Sequence, residues 1–336
     1  MSWQHVRGRG DLIAGFGRAA DRGRLAHAYL FVGPPGVGKS LFARELAKTL
    51  LCEAPPPGRL ETCDRCPGCR LVNAGTHPDL FIVYRPEDKQ DLPIDSMRDL
   101  CRDLAQKPAR GARKIAIVED ADDLNDSSAN CFLKTLEEPP PGSMLILIAT
   151  SAELQLPTIR SRCQVVRFGP LPEEVVRELL TADSGLDRES VTRLTALGDG
   201  SAGTARDVAD PELWKLRDRL FSELNREKPN GPAIAAAVRE WIEAAGKDSG
   251  GQRRRASAFI KLVTEGLRQA VDLSVGFSQR SGPDDAAVRA VASLPTDELL
   301  QRLDRCLEAD MHVDRRVQLV LAVEGLIEGV LYPAAV

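Results

Sequence analysis

The sequence lacks three features that would narrow its class at once: a basic excess, a long apolar run and a secretion signal. Lysine and arginine total 45 against 49 acidic residues, so the net charge of −4 creates no global field that attracts nucleic acid. Any contact with DNA must therefore be local or shared with partners. No segment is apolar for long enough to span a membrane, and Met1–His5 begins no apolar signal run. We expect a cytoplasmic protein without a membrane contact.

The composition is that of a globular protein with more than one domain. The chain has 336 residues, of which 43% are hydrophobic and 28% charged. Since a domain commonly has about 100–200 residues, two or three domains are expected. Four of the eight cysteines lie close together in the sequence, and the others are scattered. In a reducing cytosol such a cluster indicates a metal site rather than disulfides.

The first half alternates short apolar runs with amphipathic segments, a pattern typical of an α/β domain with a mainly parallel sheet. The predicted strands are Ala28–Val32, Leu80–Val83, Lys114–Val118, Met144–Ala149 and Gln164–Phe168. The predicted helices between them include Ser40–Leu51 and Ser127–Leu136.

After Pro170 the pattern becomes helical. Helices are predicted at Pro172–Leu180, Arg188–Leu197, Leu213–Leu224, Ala233–Ala244, Ala256–Val271 and within Thr296–Val330, with polar loops at Lys247–Arg253 and Ser278–Asp285. We expect a nucleotide-binding domain at 1–170 with an insertion at 52–69, a small helical domain at 171–210 and an all-α domain at 211–336.

A phosphate-binding loop joins the first predicted strand to the helix that follows it. The pattern G-x-x-x-x-G-K-[ST] is filled by Gly33, Pro34, Pro35, Gly36, Val37, Gly38, Lys39 and Ser40. Glycines allow backbone N–H groups to surround phosphate oxygens, and the helix N-terminus adds a positive dipole. Lys39 would reach the β- and γ-phosphates, and the Ser40 hydroxyl would ligate Mg²⁺. The alternative is a chance glycine-rich turn.

Hydrolysis would also need acids at the end of a second strand. The run Lys114–Val118 leads into Glu119-Asp120-Ala121-Asp122, which could hold Mg²⁺ and orient water. A solvated acidic turn is the alternative interpretation.

The clustered cysteines have the spacing of a metal site. Cys63, Cys66 and Cys69 form two overlapping C-x-x-C steps, and Cys52 supplies a fourth thiolate. Four sulfur ligands suit tetrahedral Zn²⁺, and a closed shell leaves no position for water, so the zinc would be structural. An iron–sulfur cluster and free thiols are the alternatives.

Several elements together resemble subunits of the bacterial replicative clamp loader, the AAA+ machine that loads the sliding clamp at primed DNA. They are Leu25–Phe31 before the phosphate loop, the cysteine insertion, His77-Pro78-Asp79, Leu133–Pro140 and Ser161-Arg162-Cys163. The resemblance is strong over Leu25–Pro170 and weak in the C-terminal helices. It implies an AAA+ domain, a small helical lid and a helical collar that joins a ring of subunits.

Within this family the sequence is most similar to the delta prime subunits of DNA polymerase III. The resemblance implies that Arg162 is a finger acting on a neighbour's ATP and that Thr150 is a sensor of the γ-phosphate. It also implies that Val6 and Gly8, in the segment Val6–Arg9, lie beside the adenine. A surface salt bridge is the alternative role for Arg162.

Two positions depart from the motor subunits of the family. Asp120 stands where these carry a glutamate and is one methylene too short to orient water well. Gly203 stands where they carry a second sensor arginine, with Arg206 three residues further on. These departures favour a subunit that binds ATP or ADP with Mg²⁺ but hydrolyses ATP weakly or not at all.

The implied partners are gamma/tau and delta subunits, the sliding clamp and primer–template DNA. A gamma/tau-type motor with its own ATPase is the alternative, and an unrelated AAA+ chaperone or helicase loader is disfavoured by the shared motifs. The basic stretch Lys107, Arg110, Arg113 and Lys114 would either approach DNA phosphates or form a solvated loop.

Overall fold

The computed structural model describes residues 3–56, 60–86, 89, 91–183, 185–246, 249–277, 286–314 and 318–332. The chain divides into two compact units, Met1–Val175 and Val176–Val336. Among the described residues, none of the helices combines the length and the apolar character needed to cross a bilayer.

The first unit is built on a five-stranded sheet. Its strands are β1 (Ala28–Val32), β2 (Leu80–Val83), β3 (Lys114–Val118), β4 (Ser143–Ala149) and β5 (Gln164–Arg167). Every pairing is parallel, and the order across the sheet is β2-β3-β4-β1-β5. The strands β1, β3 and β4 are buried along their whole length. This burial explains their continuous apolar sequences, because both faces of a parallel sheet are covered.

Helices cover both faces of this sheet. The first unit contains α1 (Gly10–Asp21), α2 (Lys39–Leu50), α3 (Pro67–Asn73), α4 (Ile94–Ala105), a short 3₁₀ turn (Ala121–Asp123), α5 (Asp126–Glu137) and α6 (Pro157–Arg160). One core layer joins the sheet to α4 and α5 through residues such as Met97 and Phe132. The other joins it to α1 and α2 and is rich in aromatic rings, with Phe16, Phe31 and Phe42 in mutual contact.

Among the described residues of the second unit, the regular elements are all helices. The chain enters it through α7 (Glu173–Thr181), and the remaining helices are α8 (Arg188–Gly198), α9 (Ala202–Asp207), α10 (Pro211–Leu224), α11 (Gly231–Glu243), α12 (Ser249–Ser274), α13 (Ala286–Val291), α14 (Thr296–Asp314) and α15 (Leu319–Leu331). The predicted fold class, a parallel α/β domain followed by helices, is therefore confirmed. The division of the helical part at residue 210 stays a prediction.

The polar loop predicted at Lys247–Arg253 is wrong from Ser249 onward, since α12 begins there. Tertiary contacts stabilise this polar helical start: Arg253 donates to the Val313 carbonyl over 2.9 Å, and the Arg255 guanidinium lies 5.0 Å from the Trp241 ring centroid. Such contacts override the weak helix propensity of the glycine pair in this stretch. The other predicted loop, Ser278–Asp285, lies outside the described residues.

Candidate functional site

The phosphate loop lies at the carboxyl end of β1, the strand between β4 and β5. Its backbone needs glycine at Gly33, because a Cβ there would stand 2.1 Å from the Phe168 carbonyl oxygen. Gly38 adopts a left-handed φ of 95° at the start of α2, which glycine accepts without strain. The Gly33 N–H donates to the Thr150 carbonyl over 3.0 Å, so the loop is anchored to the end of β4. The loop therefore has the local geometry that the motif predicts.

Lys39 is buried at the centre of this loop. Its Nζ donates to the carbonyls of Gly33 and Pro34 over 2.6 and 2.8 Å. Burial lowers the pKa of Lys39 to about 8, and the carboxylates of Asp122, Asp120 and Glu119 oppose that shift. The ammonium group thus lies in a desolvated position where it gains from any phosphate that replaces the two carbonyls.

Ser40 and Glu119 form the second pair of the site. The Ser40 hydroxyl donates to Oε2 of Glu119 over 2.7 Å, although the two residues are distant in sequence. Burial raises the pKa of Glu119, and the hydrogen bond from Ser40 opposes this rise. A hydroxyl beside a buried carboxylate next to a phosphate loop is the donor set that holds Mg²⁺ in P-loop proteins. These two residues fit that ion.

The acids that follow β3 take different positions. Asp120 is exposed and has a left-handed φ of 49°, a conformation that aspartate accepts more readily than most residues. Asp122 turns inward instead: Oδ2 accepts from the Thr150 N–H and Oδ1 from Gln155 Nε2, both over 2.6 Å. Thr150, the sequence-predicted sensor, therefore lies beside the phosphate loop. The bridging roles of Asp122 and Gln155 were missed, since nothing in their spacing joins them.

The segment predicted to contact adenine reaches the same loop from the N-terminus. Val6 is buried, and Gly8 has a left-handed φ of 69° with Leu171 so close that a Cβ would stand 2.9 Å from its Cδ2. Arg9 was not singled out as a site residue in the sequence. Its Nη2 donates to the carbonyls of Val37 over 3.0 Å and Gly169 over 2.6 Å, and burial lowers its pKa. Arg9 therefore ties this segment to the phosphate loop.

The four clustered cysteines come together as a possible metal centre. The sulfur atoms of Cys52, Cys63, Cys66 and Cys69 all lie within 4.8 Å of one another. Cys52 Sγ is 3.6 Å from Cys63 Sγ and 3.9 Å from Cys66 Sγ. Four sulfurs at about 2.3 Å from a tetrahedral zinc would be about 3.8 Å apart, so the donor set fits Zn²⁺.

Backbone N–H groups favour the thiolate form of three of these sulfurs, although burial raises the pKa of the Cys52 and Cys69 thiols. The amides of Cys63, Cys66 and Cys69 donate to Sγ of Cys52, Cys63 and Cys66 over 3.4, 3.3 and 3.3 Å. Hydrogen bonds from the amides of Arg65 and Cys66 lower the pKa of the Cys63 thiol to about 6. All ligands are supplied by the chain, which leaves no position for a reacting water.

The cysteine insertion also contacts the nucleotide side of the first unit. Lys48 of α2 is buried and pairs with Glu45 over 3.0 Å and with Asp64, next to Cys63, over 3.1 Å. Trp3 Nε1 donates to the Leu60 carbonyl over 2.6 Å. The insertion is thus attached to α2, which begins at the phosphate loop, and to the N-terminal segment.

Arg162 lies apart from all of these residues. It follows α6 and precedes β5, so it stands at the amino edge of the sheet, whereas the phosphate loop follows β1 at the carboxyl edge. The five residues of β1 separate the two edges by roughly 15 Å. Its guanidinium forms an ion pair with Glu137 at the end of α5.

Two further predictions concern the second sensor region and the basic stretch. In the second unit Gly203 lies within α9, and Arg206 forms a two-pronged ion pair with Asp183 over 2.8 and 3.3 Å. The basic stretch is wrong for Lys114, which is buried in β3 and donates to the Asp103 carbonyl. Arg110 is paired with Glu53 over 2.7 Å.

Comparisons with known proteins give consistent results. Residues 8–172 match the family model described as DNA polymerase III, delta subunit. The chain is 38% identical over 222 residues to DNA polymerase III subunit delta' of Pseudomonas aeruginosa, covering 66% of this chain and 67% of that one. It is 33% identical over 209 residues to the delta' subunit of Escherichia coli, covering 62% of each. The aligned part thus spans somewhat less than two thirds of the Escherichia coli relative.

Two other similarities concern a tau subunit and a solved structure. The tau subunit of Salmonella typhimurium is 34% identical over 222 residues, which are 63% of this chain but 33% of that protein. A solved structure of a gamma-subunit-related protein from Thermotoga maritima aligns with 95% of this chain and 98% of its own at a TM-score of 0.44 and 17% identity.

The lowered pKa of Lys39 predicts that nucleotide affinity depends on pH. A phosphate next to Nζ raises this pKa, so above pH 8 binding takes up a proton and the affinity falls as the pH rises. With a pKa of about 8, we expect binding of Mg-ADP about tenfold weaker at about pH 9 than at about pH 7. Isothermal calorimetry across this range measures it. Lys39→Arg, which keeps its charge, should bind with a flat profile; an equally flat profile in the wild type would contradict the assignment.

The cysteine geometry predicts about one zinc per chain by elemental analysis. Cys69→Ser should lose the metal and lower the melting temperature, because metal binding contributes directly to folding free energy. Cys131→Ser, outside the cluster, is the matched control and should keep its metal. Iron in the purified protein, or full stability after chelation, would rule out a structural zinc.

Proposed function

This chain belongs to the DNA polymerase III delta' family, and we propose that it is a clamp-loader subunit that binds ATP and lends Arg162 to a neighbour's ATP site. Its partners would be gamma/tau and delta subunits in a ring. This ring would load the sliding clamp onto primer–template DNA. The site of action would be cytoplasmic.

The observation that carries this proposal is the separation of the two functional groups in one sheet. The phosphate loop follows β1, Arg162 precedes β5, and the strands are parallel neighbours. The guanidinium therefore cannot reach a nucleotide held by its own chain. In a ring, the amino edge of one subunit's sheet can face the nucleotide of the next. A finger supplied in trans stabilises the charge that develops during phosphoryl transfer.

The chain's own nucleotide site supports binding better than hydrolysis. Amides of the phosphate loop would surround the phosphates, Lys39 would exchange its two carbonyl partners for phosphate oxygens, and Ser40 and Glu119 would hold Mg²⁺. This ion supplies charge neutralisation at the phosphates. At the position that should orient water, Asp120 is short and exposed. We infer a nucleotide site retained for structure or signalling.

The motor alternative rests on the intact phosphate loop and on the partial similarity to a tau subunit. Hydrolysis by the isolated chain separates the two functions. If Asp120 is too short to orient water, the wild type should hydrolyse ATP very slowly, and Asp120→Glu should raise the rate about tenfold. The glutamate must accept a left-handed backbone, so we also expect a stability loss of about 1 kcal/mol.

A phosphate-release assay under single-turnover conditions measures this change. Asp120→Asn, which keeps the length of aspartate but lacks a carboxylate, is the control, and its rate of hydrolysis should stay at the wild-type level or below. Rapid multiple turnover by the wild-type chain alone would favour the motor function.

The finger role predicts a selective loss in the assembled ring. The ring is reconstituted with motor subunits whose phosphate loops are inactivated except in the motor that faces this chain. Arg162→Ala should then lower DNA-stimulated turnover at that one site about a hundredfold, because a lost charge-stabilising donor commonly has this effect. Size-exclusion chromatography should show normal assembly.

Arg160→Ala provides the matched control, since Arg160 is an exposed arginine of α6 two residues earlier. It should leave turnover unchanged. Equal turnover in the wild-type and Arg162→Ala rings would remove the finger role, and failure to assemble with any motor subunit would remove the clamp-loader function.

A further inference from the structure

The guanidinium of Arg162 is held in one orientation by groups of its own chain. Nε donates to Oε1 of Glu137 over 2.8 Å, and Nη2 donates to the same oxygen. Nη1 donates to the Thr158 carbonyl over 2.9 Å and to Ser161 Oγ over 3.3 Å. The plane of the guanidinium is thereby fixed from two sides, one of them a carboxylate and the other the end of α6.

These contacts leave a defined part of the guanidinium for a ligand. An arginine carries five N–H groups. Four are engaged, by Glu137, Thr158 and Ser161, and the remaining one is on Nη2. The Arg162 side chain nevertheless keeps 32% of its surface exposed. The N–H group outside these four hydrogen bonds belongs to Nη2, the nitrogen whose other N–H group donates to Glu137.

Glu137 lies on a backbone segment that is hydrogen-bonded to the sheet. Glu137 is the last residue of α5, and the carbonyl of its neighbour Leu136 accepts a hydrogen bond from His27 Nε2 over 3.0 Å. His27 immediately precedes β1, so the end of α5 is fixed to the amino edge of the sheet. A side chain that starts from this anchored backbone can define the position of a flexible arginine.

We propose that Glu137 is a positioning residue for the finger: it holds the Arg162 guanidinium in the orientation that meets the neighbour's γ-phosphate. The inference rests on the proposed trans role of Arg162 and extends it to a second residue. Glu137 does not touch the reacting atoms. It acts by restricting the rotamers of Arg162 before the neighbour docks, and preorganised charge is more effective in catalysis than charge that must be oriented during the reaction.

A purely structural role for this ion pair is a weaker explanation of the geometry. Glu137 keeps 49% of its side-chain surface exposed, and ion pairs at such exposure contribute little to stability. Loss of the carboxylate should therefore leave the fold intact and alter the finger alone.

The adjacent Glu138 offers a matched control within the same chain. It is also an exposed glutamate, at the end of α5, but its side chain forms neither a hydrogen bond nor an ion pair with Arg162. Glu138→Ala removes the same charge at almost the same place. Any effect that comes from net charge alone should appear equally in Glu137→Ala and Glu138→Ala.

The first experiment uses the isolated chain and nuclear magnetic resonance of arginine Nε–H groups. In the wild type the Arg162 signal should be protected from solvent exchange. Glu137→Ala should abolish this protection, Glu137→Gln should keep part of it through the amide oxygen, and Glu138→Ala should leave it unchanged. Protection that survives Glu137→Ala would overturn the positioning role.

The second experiment uses the ring in which one motor site is active. Glu137→Ala should lower its kcat about tenfold with an unchanged KM for ATP, since misplaced catalytic groups affect the transition state more than binding. Glu137→Gln should recover part of the loss. In a double-mutant cycle, Glu137→Ala should have no further effect when Arg162 is already alanine.

The outcomes separate this inference from the proposed function. If Arg162→Ala leaves turnover unchanged, the trans finger itself is wrong. If Arg162→Ala slows turnover but Glu137→Ala does not, the finger stands and the positioning role of Glu137 is wrong. An equal loss in Glu138→Ala would likewise overturn it, because charge rather than contact would then explain the effect.

Discussion

The parallel pairing of β1 with both of its neighbours is the constraint on which the rest of the site depends. The Gly33 N–H bonds to the Thr150 carbonyl beyond β4, and the Phe168 N–H bonds to the Val32 carbonyl over 2.7 Å. These bonds fix the phosphate loop at the carboxyl edge, and the register that sets Tyr29 opposite Gln164 places the start of β5 at the amino edge. One sheet therefore places the phosphate loop and Arg162 at opposite edges, so under the proposed function only association of chains would bring Arg162 to a nucleotide.

At the carboxyl edge, the buried charged groups depend on one another. Lys39 is desolvated, and the carboxylates of Glu119, Asp120 and Asp122 each favour the charged form of this lysine. Asp122 in turn holds the Thr150 amide, whose carbonyl anchors the loop that contains Lys39. Charges buried in this way are expensive unless they are compensated. A phosphate and a divalent cation would complete the compensation, so the arrangement is suited to receive both.

The sequence predicted local elements well and long-range contacts poorly. The buried runs such as Ala28–Val32 and Lys114–Val118 were recognised because both faces of their sheet are covered, which leaves a continuous apolar signal. The phosphate loop and the cysteines were found because their spacing is local. Arg9 and Gln155 could not be found, since their partners are fixed by tertiary structure. For the same reason Lys114 resembled a surface base, although its side chain is buried and its ammonium nitrogen lies 5.4 Å from the Phe81 ring centroid.

The cysteine insertion is joined through Lys48 to α2, the helix that begins at the phosphate loop. Burial alone would lower the pKa of Lys48, yet the hydrogen bonds that it donates to Glu45 and Asp64 raise it, so this ammonium group depends on both partners. Asp64 has a left-handed φ of 54° and lies directly beside Cys63. If the sulfurs separated, Asp64 would no longer be held, and a buried cation of α2 would keep only one of its two carboxylates. Since α2 begins at the phosphate loop, a closed metal site can support nucleotide binding through this single helix.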